Sequence, residues 1–190
     1  MSTPLDQLKS VDLSHLSKEE AKEFTILLEE LEKREKRESS MASFYDFVKA
    51  IWPEFIAGAH HKKMAEAFDK IASGESKRLI INMPPRHTKS EFASYLFPAY
   101  LLGKRPKLKI IEATHTADLA INFGRRVRDL LESEEYAEIF PATELKADSR
   151  SAGKWNTSQG GQYYAAGIGG ALAGRGADLF IIDDPHSEQD

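Results

Sequence analysis

Residues 83–90 read Met-Pro-Pro-Arg-His-Thr-Lys-Ser and place a lysine and a serine between a predicted strand and a predicted helix. The apolar run at residues 79–82 predicts the strand, and residues 90–102 have the apolar spacing of a helix. This strand–loop–helix order, with Lys-Ser at the start of the helix, is the context of a phosphate-binding loop. The unpaired amides of a first helical turn attract anions. Lys89 would reach the β- and γ-phosphates, and Ser90 would offer its hydroxyl to Mg²⁺.

The loop departs from the usual phosphate-loop pattern, GxxxxGK[ST], at two positions. Glycine is expected where this chain has Met83 and Thr88. Thr88 matters more, because a glycine before the lysine lets the backbone approach the phosphates closely. Taken alone, the segment is explained about as well by an ordinary strand-to-helix turn with an exposed Lys89.

A second candidate element is the acidic pair Asp183-Asp184, which follows the apolar run at residues 179–182. A carboxylate at the end of a buried strand is unfavourable unless it binds a cation or another charged partner. The pattern has the form of a Walker B strand, in which Asp183 would hold Mg²⁺ and Asp184 would orient the attacking water. A strand that ends in a polar turn before Pro185 is the alternative, and the upstream Lys-Ser turn makes it the weaker one.

The elements that must position these residues form an alternating pattern. Short apolar runs at residues 78–82, 108–113 and 178–183 predict three strands that are buried on both faces, and helical patterns cover residues 90–102 and 117–132. Such alternation predicts an α/β fold with a mainly parallel sheet flanked by helices. The glycine-rich stretch around Tyr163-Tyr164-Ala165-Ala166 is predicted to be a hairpin insertion followed by a loop.

An N-terminal helical segment, residues 1–58, precedes this pattern, and residues 59–190 are predicted to form the core domain. Ser17 and Glu20 form a capping-box pattern at the start of a charged helix. His60 and His61 open a further helix and are predicted to lie in solvent.

Length and composition exclude several classes of protein. The chain has 190 residues, a formal net charge of -4 and no cysteine. This length predicts one domain that can bury a core, and the lack of cysteine excludes disulfide scaffolds and thiolate metal sites. No apolar run is long enough to span a bilayer, so no membrane partner is expected.

Several ordered segments resemble one family. Residues 83–91 (MPPRHTKSE) are similar to the deviant Walker A segment of tailed-phage terminase large subunits, the ATP-driven motors that package DNA. Residues 123–129 (FGRRVRD) and 167–179 (GIGGALAGRGADL) are also similar to this family. The resemblance extends from about residue 60 to residue 185, and it implies a P-loop NTPase fold.

The resemblance also implies roles for single residues. Asp184 stands where the wider family often has a glutamate as catalytic base, which leaves either a shifted water or a helper such as Glu188. Arg86 matches the arginine that senses the γ-phosphate, and Arg175 is the candidate for an arginine finger acting on a neighbouring subunit, with a loop arginine paired to a nearby acid as the alternative. Ser90 and Asp183 are the implied Mg²⁺ ligands. The implied ATP-binding residues are Pro85, Arg86, His87, Thr88, Lys89 and Ser90.

The activity that this implies is Mg²⁺-dependent ATP hydrolysis coupled to movement of double-stranded DNA into a procapsid, in the cytoplasm of the host cell. The implied partners are DNA, the small terminase subunit, the portal and further copies of the chain in a ring. The family's sheet has another strand between the phosphate-loop strand and the Walker B strand. We therefore expect a fold that is incomplete at its C-terminus, because the chain would be a fragment truncated after Walker B. Such a fragment would have weak activity and would lack the C-terminal nuclease domain.

Two alternatives remain at this stage. One is a different P-loop ATPase, such as a helicase-like translocase acting on nucleic acid. The other is a non-enzymatic remnant that has lost hydrolysis through Thr88.

Overall fold

The computed structural model describes residues 4–149, 151–170, 172 and 174–186. Its centre is a four-stranded sheet with the strand order β2-β3-β1-β4. Strand β1 pairs in parallel with both β3 and β4, whereas β2 pairs with β3 in the antiparallel sense. The predicted α/β class with a mainly parallel sheet is confirmed. The strands are β1 (Lys109–Thr114), β2 (Lys154–Asn156), β3 (Gln162–Gly167) and β4 (Leu179–Asp183).

The helices largely follow the sequence pattern. The predicted capping box of Ser17 and Glu20 is present at the start of α2, and Gly74 ends α4 with φ 82°, a conformation that favours glycine. A π-helical turn, Glu91–Leu96, continues directly into α5. No helix in the described part of the chain is long and apolar enough to cross a membrane. The helices are α1 (Pro4–Lys9), α2 (Lys18–Ala42), α3 (Phe44–Ile51), α4 (Ala59–Ser73), α5 (Phe97–Lys104), α6 (Ala117–Leu131) and α7 (Glu134–Ile139).

The strand predicted at residues 78–82 is wrong. This segment joins none of the sheet ladders of the described residues. Ile81 packs against the core, while Ile80 is 85% exposed. Apolar residues alone do not make a strand, because its backbone groups must also pair with a neighbour.

The hairpin predicted around Tyr163 is partly correct. Strands β2 and β3 form an antiparallel pair, but β3 is no insertion, since it lies in the sheet beside β1. The parallel register runs from Lys109 opposite Gln162 to Thr114 opposite Gly167. The segment is therefore part of the sheet that positions the candidate site.

The two faces of β4 are unequal, which corrects the prediction of burial on both faces. Leu179 and Ile181 pack against the core, and Asp183 is buried. On the opposite face, Phe180 and Ile182 are 51% and 55% exposed. The π-helical turn contacts β4, and α6 packs on β1 and β3.

The core links the N-terminal helices to the helix that follows the candidate phosphate loop. The ring of Phe44 in α3 lies edge-on to Phe92 and Phe97, with centroid distances of 5.6 Å and 5.4 Å. Such edge-to-face aromatic pairs add to the stabilisation from burial. Helix α3 therefore packs on the helix that follows the candidate loop.

Candidate functional site

The loop before the π-helical turn has an unusual backbone conformation. Arg86 and Thr88 have φ values of 63° and 59°, and non-glycine residues rarely adopt such values. The imidazole Nδ1 of His87 donates to the carbonyl oxygen of Pro85 at 2.9 Å, which closes the loop on itself. The amide of Phe92 donates to the Thr88 carbonyl at 3.0 Å, so the amides of residues 89–91 lie at the N-terminal end of the helix.

Thr88 carries most of the strain in this loop. A β-branched residue at positive φ is a genuine outlier, and such a conformation costs about 1–3 kcal/mol. The Thr88 hydroxyl has two hydrogen-bond partners. It lies 2.7 Å from His61 Nε2, and it donates to the carbonyl oxygen of His87 at 2.7 Å.

His61 is buried, contrary to the prediction that the histidine pair lies in solvent. Its exposed fraction is 6%, and its ring packs on Phe55 and Phe92 with centroid distances of 4.7 Å and 5.4 Å. Its Nδ1 accepts a hydrogen bond from the Gly58 amide at 2.8 Å, so the proton of the neutral ring is on Nε2. Burial lowers the pKa of His61, and the nearby imidazoles of His60 and His87 lower it further. Only His60, the first of the pair, is exposed as predicted.

The candidate phosphate lysine meets the acidic pair. Lys89 Nζ lies 2.6 Å from Asp184 Oδ1, although the two residues are 95 positions apart in the sequence. Their side chains are 25% and 63% exposed, so this ion pair is open to solvent. The Asp184 backbone has φ 41°, and its carbonyl oxygen accepts from the His115 amide at 3.1 Å. This is a third strained residue, and such strain clusters at functional sites.

Asp183 forms a hydrogen bond with the π-helical turn that contacts β4. Its side chain is buried, and its Oδ2 accepts a hydrogen bond from Ser94 Oγ at 3.0 Å. Ser94 lies in the π-helical turn, one turn beyond Ser90, and π-helical turns are frequent at functional sites. The sequence analysis missed Ser94, although its position four residues after Ser90 puts both serines on one face of a helix.

A buried glutamate lies beside this pair. Glu112 in β1 is fully buried, and Tyr163 donates to its Oε2 at 3.3 Å. Its Oε1 has no hydrogen-bond partner within the described ranges. Burial raises the pKa of Glu112 well above its ordinary value, and the charge of Asp183 raises it further, while the hydrogen bond from Tyr163 opposes the rise. Sequence analysis missed Glu112 because it stands within an apolar strand pattern.

The two predicted arginines lie outside this cluster. Arg86 is exposed, and the guanidinium of Arg175 stacks 3.9 Å from the ring centroid of Tyr164 in the same chain. Neither has a described contact with Lys89 or the acidic pair. Glu188, the predicted helper, lies outside the described residues.

The site offers oxygen atoms of the type that bind Mg²⁺. No group of three or more His, Asp or Glu side chains that could hold a metal occurs in the described part of the chain. Mg²⁺, however, is commonly bound by one or two protein oxygens together with substrate phosphates and water. Asp183 is buried and forms no ion pair with any described residue, and a bound cation would compensate its charge. The hydroxyl of Ser90 and Oδ1 of Asp183 are the atoms that would hold it.

Comparison of the chain with models of known protein families, with curated proteins and with solved structures found no match in any of the three.

Proposed function

We propose that the chain is the ATPase part of a viral DNA-packaging motor, which hydrolyses ATP with Mg²⁺ to move double-stranded DNA into a procapsid. The observation that carries the ATPase proposal is the 2.6 Å contact between Lys89 Nζ and Asp184 Oδ1. It joins two segments, far apart in the sequence, that motifs indicate to be a phosphate loop and an acidic strand end. The DNA-packaging role is supported by the resemblance of residues 83–91, 123–129 and 167–179 to terminase large subunits.

The proposed chemistry assigns a task to each group. Lys89 and the amides of residues 89–91 bind the β- and γ-phosphates at the end of the helix. Ser90 and Asp183 would hold Mg²⁺, which when bound neutralises charge on the phosphates. Asp184 orients a water molecule whose oxygen forms a bond to the γ-phosphorus. The bond from that phosphorus to the β,γ-bridging oxygen breaks, ADP leaves, and the water proton passes to the Asp184 carboxylate and then to solvent.

The ion pair with Lys89 occupies one oxygen of the Asp184 carboxylate, which would orient the water. On this proposal, the entering triphosphate draws Lys89 away and frees the carboxylate. Nucleotide binding would therefore release Asp184, the proposed catalytic base, for its contact with water. Arg86, which is exposed beside the loop, is the group that would sense the γ-phosphate.

The proposed partners follow from the resemblance: double-stranded DNA, the small terminase subunit, the portal and a ring of identical subunits in the host cytoplasm. Within such a ring, Arg175 would act on the site of a neighbouring subunit. Its guanidinium would have to leave the ring of Tyr164, which it contacts at 3.9 Å. The Tyr164 contact is thus the resting position of the proposed finger.

Steady-state phosphate release tests the proposal. We expect release from ATP to require Mg²⁺, to rise with linear double-stranded DNA, and to fall on the order of 100-fold or more in Asp183→Asn. Asp148→Asn is the matched control, because Asp148 forms a surface ion pair with Lys146. Unchanged release in Asp183→Asn would refute the assignment of the site.

The same assay separates the two alternatives. Stimulation by single-stranded DNA together with strand separation would replace the packaging motor with a helicase-like translocase. Binding of ATP without any release of phosphate would favour the non-enzymatic remnant.

A further inference from the structure

Thr88 stands at the position where the phosphate-loop pattern has glycine, and it adopts the backbone conformation that favours glycine, with φ 59°. A threonine has no intrinsic preference for this conformation, so neighbouring groups must hold it there. One such group comes from α4, 27 positions earlier in the chain, where His61 Nε2 lies 2.7 Å from Thr88 Oγ1.

We propose that His61 is a positioning residue, whose Nε2–H holds the Thr88 hydroxyl and keeps the phosphate loop in the conformation that glycine would adopt unaided. The consequence for nucleotide affinity rests on the proposed function, whereas the hydrogen bond itself does not.

The hydrogen bonds around His61 form one directed chain. The Gly58 amide donates to His61 Nδ1 at 2.8 Å, and the Thr88 hydroxyl donates to the His87 carbonyl at 2.7 Å. Because the single proton of Thr88 goes to that carbonyl, its oxygen must accept from His61 Nε2. Only the neutral Nε2–H tautomer of His61 satisfies every member of the chain.

This arrangement leaves His61 no capacity for another ligand. Both ring nitrogens are used, and the side chain is 6% exposed. The rings of Phe55 and Phe92 enclose it, and Phe92 belongs to the helix that begins at the loop. A direct contact of His61 with nucleotide or metal would require this chain of hydrogen bonds to break, so its effect on binding is exerted through Thr88.

The arrangement also predicts a dependence on pH. A second proton would occupy Nδ1, which could then no longer accept from the Gly58 amide. The titratable groups that face His61 are the imidazoles of His60 and His87, and Phe55 and Phe92 are uncharged. The pKa of His61 is lowered from 6.5, so protonation favours the open loop. The hydrogen bond that holds the loop therefore contributes fully above pH 6.5, and its contribution is lost as the pH falls through the lowered pKa of His61.

The test is a double-mutant cycle on nucleotide affinity, read by calorimetry with Mg²⁺ and a non-hydrolysable ATP analogue. In His61→Asn the side-chain oxygen can still accept from Gly58 but cannot reach Thr88. We expect this change to weaken binding about tenfold in the natural background, the loss of one buried hydrogen bond. In the Thr88→Gly background we expect less than a twofold effect. An equal loss in both backgrounds would overturn the proposal.

A conservative pair tests the same bond from each side. His61→Gln places an amide donor near the Nε2 position and should retain most of the affinity without the acid-side decline. Thr88→Ser keeps the hydroxyl and should bind nucleotide more tightly than Thr88→Ala, which should resemble His61→Asn. If His61→Asn does not fold, the nucleotide affinities of Thr88→Ser and Thr88→Ala still test the proposal. Equal affinities of these two variants would contradict it.

A readout without nucleotide separates this inference from the proposed function. The nitrogen chemical shifts of the His61 ring should report the Nε2–H tautomer in the natural chain and a change in Thr88→Ala. If no variant binds nucleotide but this change occurs, the proposed function fails while the positioning bond stands. If the chain binds nucleotide but the tautomer is mixed and insensitive to residue 88, the positioning bond fails.

Discussion

Replacing Asp184 by asparagine should tighten nucleotide binding while it stops hydrolysis. In the structure Lys89 Nζ is held 2.6 Å from Asp184 Oδ1, and this contact must break before the lysine can reach a phosphate. Asp184→Asn removes the charge that competes for the lysine, with almost no change in side-chain shape. The same change removes the carboxylate that we assign to orienting water, so affinity and turnover should move in opposite directions.

The size of the effect on affinity follows from the geometry. Two unit charges 2.6 Å apart attract by about 1.6 kcal/mol in the dielectric of bulk water. Because the side chains are 25% and 63% exposed, solvent screening and the entropy of holding both groups reduce this to about 0.2–1 kcal/mol. Affinity for ATP should therefore rise about 1.4- to 5-fold, and the gain should shrink as salt is added.

The assay is calorimetric titration of Asp184→Asn and the natural chain with Mg²⁺ and ATP, paired with phosphate release. Asp148→Asn makes the same change of net charge at a surface ion pair, so it controls for long-range electrostatics. A loss of affinity in Asp184→Asn, or turnover equal to that of the natural chain, would refute the reasoning.

Two further predictions concern the buried groups behind the acidic pair. Ser94→Ala removes the hydrogen bond to Asp183 Oδ2, so the Mg²⁺ concentration needed for half-maximal nucleotide binding should rise about tenfold. Ser158→Ala, at an exposed site, is the control, and an equal requirement in both would count against this role of Ser94. Glu112→Gln should change how stability depends on pH, measured by urea unfolding at pH 5 and pH 8. The folded state holds the Glu112 proton that the unfolded chain releases above 4.5, so the natural chain loses stability as the pH rises and the variant should lose less. Parallel pH profiles of the two proteins would contradict a neutral, buried Glu112.

Sequence patterns predicted the parts of the fold that local chemistry determines. The capping box of Ser17 and Glu20 follows from side-chain and backbone preferences within a few residues, and it is present. Strands β1 and β4 were predicted from their apolar runs, which β-sheet burial favours. The strand predicted at residues 78–82 has the same composition but lacks a partner among the described residues, and composition carries no information about partners.

The residues of the candidate site were likewise predicted where a local motif identifies them, and not where distant segments must meet. Lys89 and Asp184 were identified from motifs, and the structure brings them together. Ser94 and Glu112 were missed, and His61 was wrongly predicted to lie in solvent, because their surroundings depend on contacts between distant segments. A serine in a helix, a glutamate in an apolar strand and a histidine at a helix start have ordinary local explanations, and only the fold shows that they are buried beside the motif residues.

Calorimetric titration of the natural chain and of Lys89→Ala with Mg²⁺ and a non-hydrolysable ATP analogue tests the central claim most directly. Lys89 is the side chain assigned to the β- and γ-phosphates, and Lys107→Ala serves as a control at an exposed lysine between α5 and β1. We predict saturable binding by the natural chain and by Lys107→Ala, with affinity at least tenfold weaker in Lys89→Ala, since a charge-assisted bond to phosphate contributes about 1.5–3 kcal/mol. Equal binding by all three proteins, or binding by none of them, would contradict a nucleotide site at this loop.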